Sequence, residues 1–446
     1  MEKITKKTVD YPFLQKPVVI YERECGHKIV CAYKEGGLVN VSSWVKTGSI
    51  NEDDKITGIS HFLEHLMFKG THKHVAGEFD KTLESKGAIV NAATWKDYTF
   101  YYVTLPKGPN EEYFKLALDL HADMMLDPII PPDEIGDPFD INDPQISKKR
   151  ERHVVIEEIR MREDQPWTKT YNELNHNMYK NHPYKRDVIG TADVIASIPR
   201  ETIMDYYHKH YTPNKITTII VGDFDFDKIV NQVVEAFDFK GRENSEYEAY
   251  EIDEPNKETK YIENYSNINT AFLMFGYLGV QAINLKESII LDMLSIILGE
   301  GQSSRLYQNL IEKPENPIFN IVSCDHYHFR DGGNFFIQAN FKPEKKDEAI
   351  DLIKGQIEEI CKNLVSEKEF KKAVKKLKAR FADSAETVSE ISETIGYYMT
   401  VCNGLELVDE YVSTLENITR EELLDTAKKY LDLNKTTISV LLPKEN

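Results

Sequence analysis

Gly58-Ile59-Ser60-His61-Phe62-Leu63-Glu64-His65-Leu66-Met67-Phe68-Lys69-Gly70 reads as one short helix closed by a glycine. At about 100° per residue, His61 and His65 lie about 40° apart, with Glu64 about 60° to the other side of His61. Ile59, Phe62, Leu63, Leu66 and Met67 cover the opposite face, which is therefore expected to pack inward. Two neutral imidazole nitrogens at i and i+4, with a carboxylate beside them, are what a zinc site with a glutamate base requires. The order His-x-x-Glu-His inverts the commoner His-Glu-x-x-His, and either order presents the three groups on one side of a helix. A solvated helix face can hold the same residues by chance, so the rest of the chain must decide.

A catalytic zinc takes three protein ligands and keeps a position for water. The strongly helical segment Lys148 to Glu163 stops before Pro166 and offers Glu151, Glu157 and Glu158. With Glu158 at the zero angle, Glu151 falls about 20° away, and Val154, Val155, Met161 and Arg162 lie within about 60°. Glu157 shares a wetter side with His153 and Arg160. A carboxylate on a partly apolar side needs a positive partner, which a metal supplies. Glu158 is therefore the expected third ligand, and Glu151 the group expected to orient a histidine. The competing reading makes both of them surface charges beside Lys149 and Arg162.

At 446 residues the chain exceeds one small core and predicts two or more domains. A net charge of −19 argues against nucleic acid, which needs a basic footprint. No run approaches the ~20 apolar residues of a membrane span, and Met1 to Pro17 holds no apolar core of signal-peptide length. Five scattered cysteines with no Cys-x-x-Cys pair fit reduced thiols and a cytoplasmic location.

Strand-like and helical segments follow the same order in both halves, which suggests a duplicated α+β unit. The expected divisions are residues 1–239, an acidic linker at 240–260, and residues 261–446. Asp127 to Ile146 reads as a long surface loop, and Glu367 to Val401 as a helix broken near Gly396. In the second half, Leu291 to Ile296 takes the place of the His61 helix and has no histidine, so only the first half is expected to hold metal. Cys324-x-His326-x-His328 puts three ligand types on one side of a strand, with no fourth group evident. His72-x-His74 and His208-x-His210 read as solvated pairs, and Gly299-Glu300-Gly301 lacks the Lys-Ser/Thr of a phosphate loop.

His61-Phe62-Leu63-Glu64-His65, followed by Glu151-Arg152-His153-Val154-Val155-Ile156-Glu157-Glu158, resembles the pitrilysin family of inverted zinc metallopeptidases. The length is similar to the branch containing the mitochondrial processing peptidase subunits and bacterial two-subunit relatives. Asn91-Ala92-Ala93-Thr94, His182-Pro183-Tyr184, Gly222-Asp223-Phe224 and Gly301-Gln302-Ser303-Ser304-Arg305-Leu306 extend the resemblance in family order. It implies an α+β fold of two similar domains, each a mainly antiparallel sheet packed against helices, forming one half of a clamshell chamber. It also implies a zinc endopeptidase with one zinc per chain on His61, His65 and Glu158, and with Glu64 as general base. Asn91, Ala92 and Ala93 would lie on an edge strand that pairs with the peptide substrate.

Two departures stand out. The gap between His65 and Glu158 is long, with the excess in Gly136 to Lys148. Where the family places a substrate-contacting arginine and tyrosine, this chain aligns Ile311 and Phe319. The implied remedy is a dimer, in which a related subunit supplies the missing pair; a homodimer is the other arrangement. The alternative function is a non-catalytic, peptide-binding or structural subunit of the same fold. The intact set His61, Glu64, His65 and Glu158 speaks against it.

Overall fold

The computed structural model describes residues 3–141 and 150–444; most of the expected insertion Gly136 to Lys148, and the start of the helix expected from Lys148, lie outside the described residues. The chain forms two compact units. The first takes Met1–Ile159, Asp187–Ala249 and Phe381–Asp409, and the second takes Arg160–Arg186, Tyr250–Arg380 and Glu410–Asn446.

The first unit is built on a seven-stranded sheet of order β1-β2-β3-β7-β4-β6-β5. Its strands are β1 (Ile4–Val9), β2 (Val18–Arg23), β3 (Lys28–Tyr33), β4 (Leu38–Val45), β5 (Ile89–Thr94), β6 (Thr99–Pro106) and β7 (Ile216–Gly222). Only β3 and β7 run parallel; the other neighbours are antiparallel. From Val39 to Val45 every residue of β4 is buried, because helices cover both sides of the sheet. Glu112–Leu126 packs on β4 and β6, and Val388–Val401 packs on β4 and β7.

The second unit holds β8 (Lys260–Ser266), β9 (Ala271–Leu278), β10 (Phe319–Phe329), β11 (Gly332–Phe341) and β12 (Thr437–Pro443), in the order β10-β11-β9-β12-β8. Again one pair, β12 with β8, is parallel. The run β8-β12-β9-β11-β10 thus repeats the run β3-β7-β4-β6-β5, with the parallel pair and the free edge in the same places. Two similar α+β domains, each a mostly antiparallel sheet against helices, are the architecture.

A single cut at 240–260 does not separate the two units, because each takes a helix from the other half of the chain. Pro166–Met178, where the sequence predicts only a stop, packs on β9 and β12. Pro166 stands in the first turn, where a proline starts a helix as readily as it ends the one before. Val388–Val401 returns to the first sheet. The break before it falls at Ser384 to Thr387 rather than at Gly396. Thr387 and Glu390 form a capping box that fixes the new N-terminus. Gly396 lies inside that helix, and a Cβ there would sit 2.0 Å from Trp44 Cε2, so the glycine lets the helix seat on the sheet.

Candidate metal centre

The helix Ile59–Met67 starts at Gly58, whose φ of +89° suits glycine and whose Cβ would sit 2.4 Å from the Ile189 carbonyl oxygen. Buried Glu52 accepts from the backbone N–H of Gly58 at 2.7 Å and of Ser60 at 2.9 Å. That carboxylate satisfies donors a helix start leaves open and sits at the favourable end of its dipole. Ile59, Phe62, Leu63, Leu66 and Met67 are all buried in the first core, so the polar face is held at a fixed angle.

The helix Glu151–Glu163 is anchored by Arg152, which is wholly buried. Its guanidinium donates to the carbonyl oxygens of Ala196 at 2.5 Å and Ile198 at 2.6 Å. Removing a guanidinium from water is tolerated only with such partners, and the contact sets how far Glu151 and Glu158 reach. Nothing in local sequence periodicity singles out Arg152 for this task.

These two helices bring His61, His65 and Glu158 together. Glu158 Oε2 lies 3.8 Å from His61 Nε2 and 3.6 Å from His65 Nε2. Such gaps are too long for hydrogen bonds. They approach the ~3.3 Å edge of a tetrahedron whose metal–ligand bonds are about 2.0–2.1 Å. Two imidazole nitrogens and one carboxylate oxygen at that spacing fit zinc, with a side open for water.

Glu151 Oε1 lies 2.9 Å from His65 Nδ1, and Lys69 Nζ lies 2.6 Å from Glu151 Oε2. Burial works against the Glu151 carboxylate, yet these two hydrogen bonds hold its pKa below the ordinary value. Burial likewise opposes protonation of His65, but Glu151, with the charges of Glu64 and Glu158, raises its pKa. An imidazole whose Nδ1 proton goes to a carboxylate presents Nε2 as a fixed and more basic donor.

Glu64 is buried beside the two histidines, and Thr94 at the end of edge strand β5 donates to its Oε2 at 2.5 Å. Burial raises its pKa; the Thr94 hydrogen bond and His65 pull the other way, and Glu158 adds to the rise. Along the chain Thr94 stands out only as the last residue of Asn91-Ala92-Ala93-Thr94; its hold on Glu64 depends on the strand ending against the helix. Asn91 and Ala93 on β5 are exposed, Ala92 is half-buried, and Asn91 Oδ1 accepts from the Ala92 N–H at 2.9 Å.

Several expectations need correction. The apolar side predicted around Glu158 is not buried: Val154 is 48% and Met161 66% exposed, and only Val155 joins the core. What distinguishes Glu158 is its approach to two imidazoles, not burial. His210 is not solvated; it is buried against Tyr206, with its Nδ1 3.3 Å from Lys215 Nζ. His72 is exposed and pairs with Asp127. In the second unit, Ile311 is half-buried against the core, and Phe319 is 3% exposed, so the Phe319 side chain is not free to meet a substrate. His326 and His328 do have a further partner. Asp292, on the helix Leu285–Gly299, places Oδ1 2.9 Å from His326 Nδ1 and 2.8 Å from His328 Nε2.

Among the described residues, no helix is long and apolar enough to cross a membrane. The family profile described as Insulinase (Peptidase family M16) matches residues 28–192, and the one described as Peptidase M16 inactive domain matches residues 197–377. The chain is 26% identical over 393 residues to the uncharacterized zinc protease YmxG of Bacillus subtilis, covering 88% of this chain and 90% of that one. It is 27% identical over 412 residues to the zinc protease PqqE of Helicobacter pylori, covering 91% and 88%. Among solved structures, a protease from Helicobacter pylori superposes with a TM-score of 0.83 at 25% identity, covering 98% of this chain and 99% of that one.

Proposed function

Because the chain belongs to the M16 family of peptidases, the pitrilysin type, we propose that it is a zinc-dependent endopeptidase that hydrolyses peptides or unfolded segments. The observation that carries this reading is the convergence of His61, His65 and Glu158 with buried Glu64 alongside. A scaffold has no use for that set. His61, His65 and Glu158 would hold one zinc ion, which when bound supplies Lewis acidity that polarises a carbonyl and acidifies water.

The chain's own groups do the rest. Glu64 takes the proton of the attacking water and passes it to the leaving amine. With Oε2 held by Thr94, Oε1 is the oxygen left to carry that proton. Asn91, Ala92 and Ala93, on the outer strand of the sheet, take the substrate backbone as an added strand. Thr94 ends the same strand, so substrate capture and the position of the base share one element. Five free thiols support a reducing, cytoplasmic setting.

Thr94→Val tests the link to the base. A general base must be deprotonated, so kcat/KM falls as pH drops through the Glu64 pKa. Thr94 lowers that pKa, so its loss moves the acid limb of the profile to higher pH, while Thr94→Ser leaves it in place. An unmoved limb in Thr94→Val would mean the hydroxyl has no influence on the base.

The presence of Ile311 and Phe319 where the resemblance places an arginine and a tyrosine favours a working unit of more than one chain. The partner is a related subunit that supplies an arginine and a tyrosine; a homodimer is the simpler assembly. Unstructured peptides incubated with the purified chain, alone and with such a subunit, decide the matter by mass spectrometry. Cleavage is expected with the partner, abolished by a chelator and restored by zinc. Peptides bound but intact under every condition would leave the non-catalytic, peptide-binding subunit instead.

A further inference from the structure

The second unit repeats the first in topology, and chemistry-bearing side chains gather at the same place in both. In the first unit, the helix between β4 and β5 carries the two histidines and meets the edge strand β5. In the second, the helix Leu285–Gly299 stands between β9 and β10 and lies against the edge strand β10. The ligand sources differ: here the helix gives a carboxylate and the strand two imidazoles, whereas in the first unit two helices give all three groups. We propose that Asp292, His326 and His328 form a second site for a divalent transition metal.

His326 and His328 stand two apart on a strand and so project to one side, where Asp292 Oδ1 lies within 2.9 Å of a nitrogen of each. Two imidazoles and one carboxylate suit zinc, cobalt or nickel rather than the hard, all-oxygen sites of calcium or magnesium. The rings are held in advance. Ser288 Oγ lies 2.6 Å from His328 Nδ1, the outer partner that fixes which nitrogen faces a metal. The side chain of His326 is wholly buried against Gly279 and Gly333, where a Cβ would stand 3.1 and 3.3 Å from its Nε2. Asp292 and His328 keep 17% and 28% of their side-chain surface exposed, which leaves an entry path and a position for water.

Among the described residues, the ion pairs of Asp292 are with these two imidazoles alone. The 2.8 and 2.9 Å separations are those of direct hydrogen bonds, so a proton bridges each pair until metal displaces it. The first site, with its longer gaps, has no such bridges to break.

Cobalt titration of the full chain, followed by visible absorption and calorimetry, tests the proposal. The wild type is expected to take two equivalents, and His61→Ala/His65→Ala one. Adding Asp292→Asn and His328→Gln to that double variant is expected to remove the last equivalent, along with the rise of Tm on adding cobalt. His328→Gln alone, on the most exposed of the three ligands, is the milder version and is expected to give the same loss. The proposal is overturned if His61→Ala/His65→Ala binds no cobalt, or if its remaining equivalent survives the loss of Asp292 and His328; the cluster is then only a hydrogen-bonded tie between strand and helix. A wild type with a single equivalent that depends on Asp292 alone would instead sink the first site and keep the second.

Discussion

Glu64→Gln is expected to keep the zinc of the first site and lose peptide cleavage by about 10²–10⁴-fold, the usual contribution of a positioned general base. The amide matches the carboxylate in size and still offers an oxygen to Thr94, which donates to Glu64 Oε2 in the wild type. What it cannot do is take a proton from water. His61→Ala is expected to fall by one zinc equivalent and to lose cleavage as well, because His61 Nε2 is one of the three donors converging on the site. Metal analysis of both variants, with kcat/KM on one peptide, separates the roles. Equal zinc loss in the two would place Glu64 among the ligands and leave the reaction without its base.

Gly396→Val is expected to destabilise the chain by about 3 kcal/mol, at the upper end of ordinary overpacking. Helix propensity alone predicts the reverse, since glycine inside a helix costs roughly 1 kcal/mol relative to alanine. The reason for the sign is the neighbour. A Cβ at Gly396 would stand 2.0, 2.2 and 2.3 Å from Trp44 Cε2, Nε1 and Cδ2. Trp44 cannot retreat easily: it is 1% exposed, and its ring stacks on Phe100 with centroids 4.2 Å apart. The helix would have to lift from β4 and β7. A drop in the urea midpoint with an unchanged slope is the signature. A midpoint that stays or rises would show that Val388–Val401 does not seat on this sheet.

Local periodicity settled much of what the sequence could say. The spacing of His61, Glu64 and His65 against Ile59, Phe62, Leu63, Leu66 and Met67 fixes one polar and one apolar face of a single helix, and the core takes the apolar one. The phase of Glu151 relative to Glu158 follows in the same way, as do the β4, β6 and β7 strands. These features are legible because covalent spacing along one element determines them. The exchange of helices between the units is not of that kind. Pro166–Met178 and Val388–Val401 each choose a sheet through surface complementarity, such as Gly396 against Trp44, and no local signal reports that choice.

Around the site the division is the same. Sequence alone nominated His61, His65, Glu158 and Glu151 from two helix patterns, but not the buried Arg152 that anchors the second helix or the Thr94 hydroxyl on Glu64. Nor could it join Asp292 to His326 and His328 across more than thirty residues of chain. Which residues share a face is written in their order. Which faces meet is decided only when the chain packs, because burial rewards the fit of whole surfaces and not the identity of single residues.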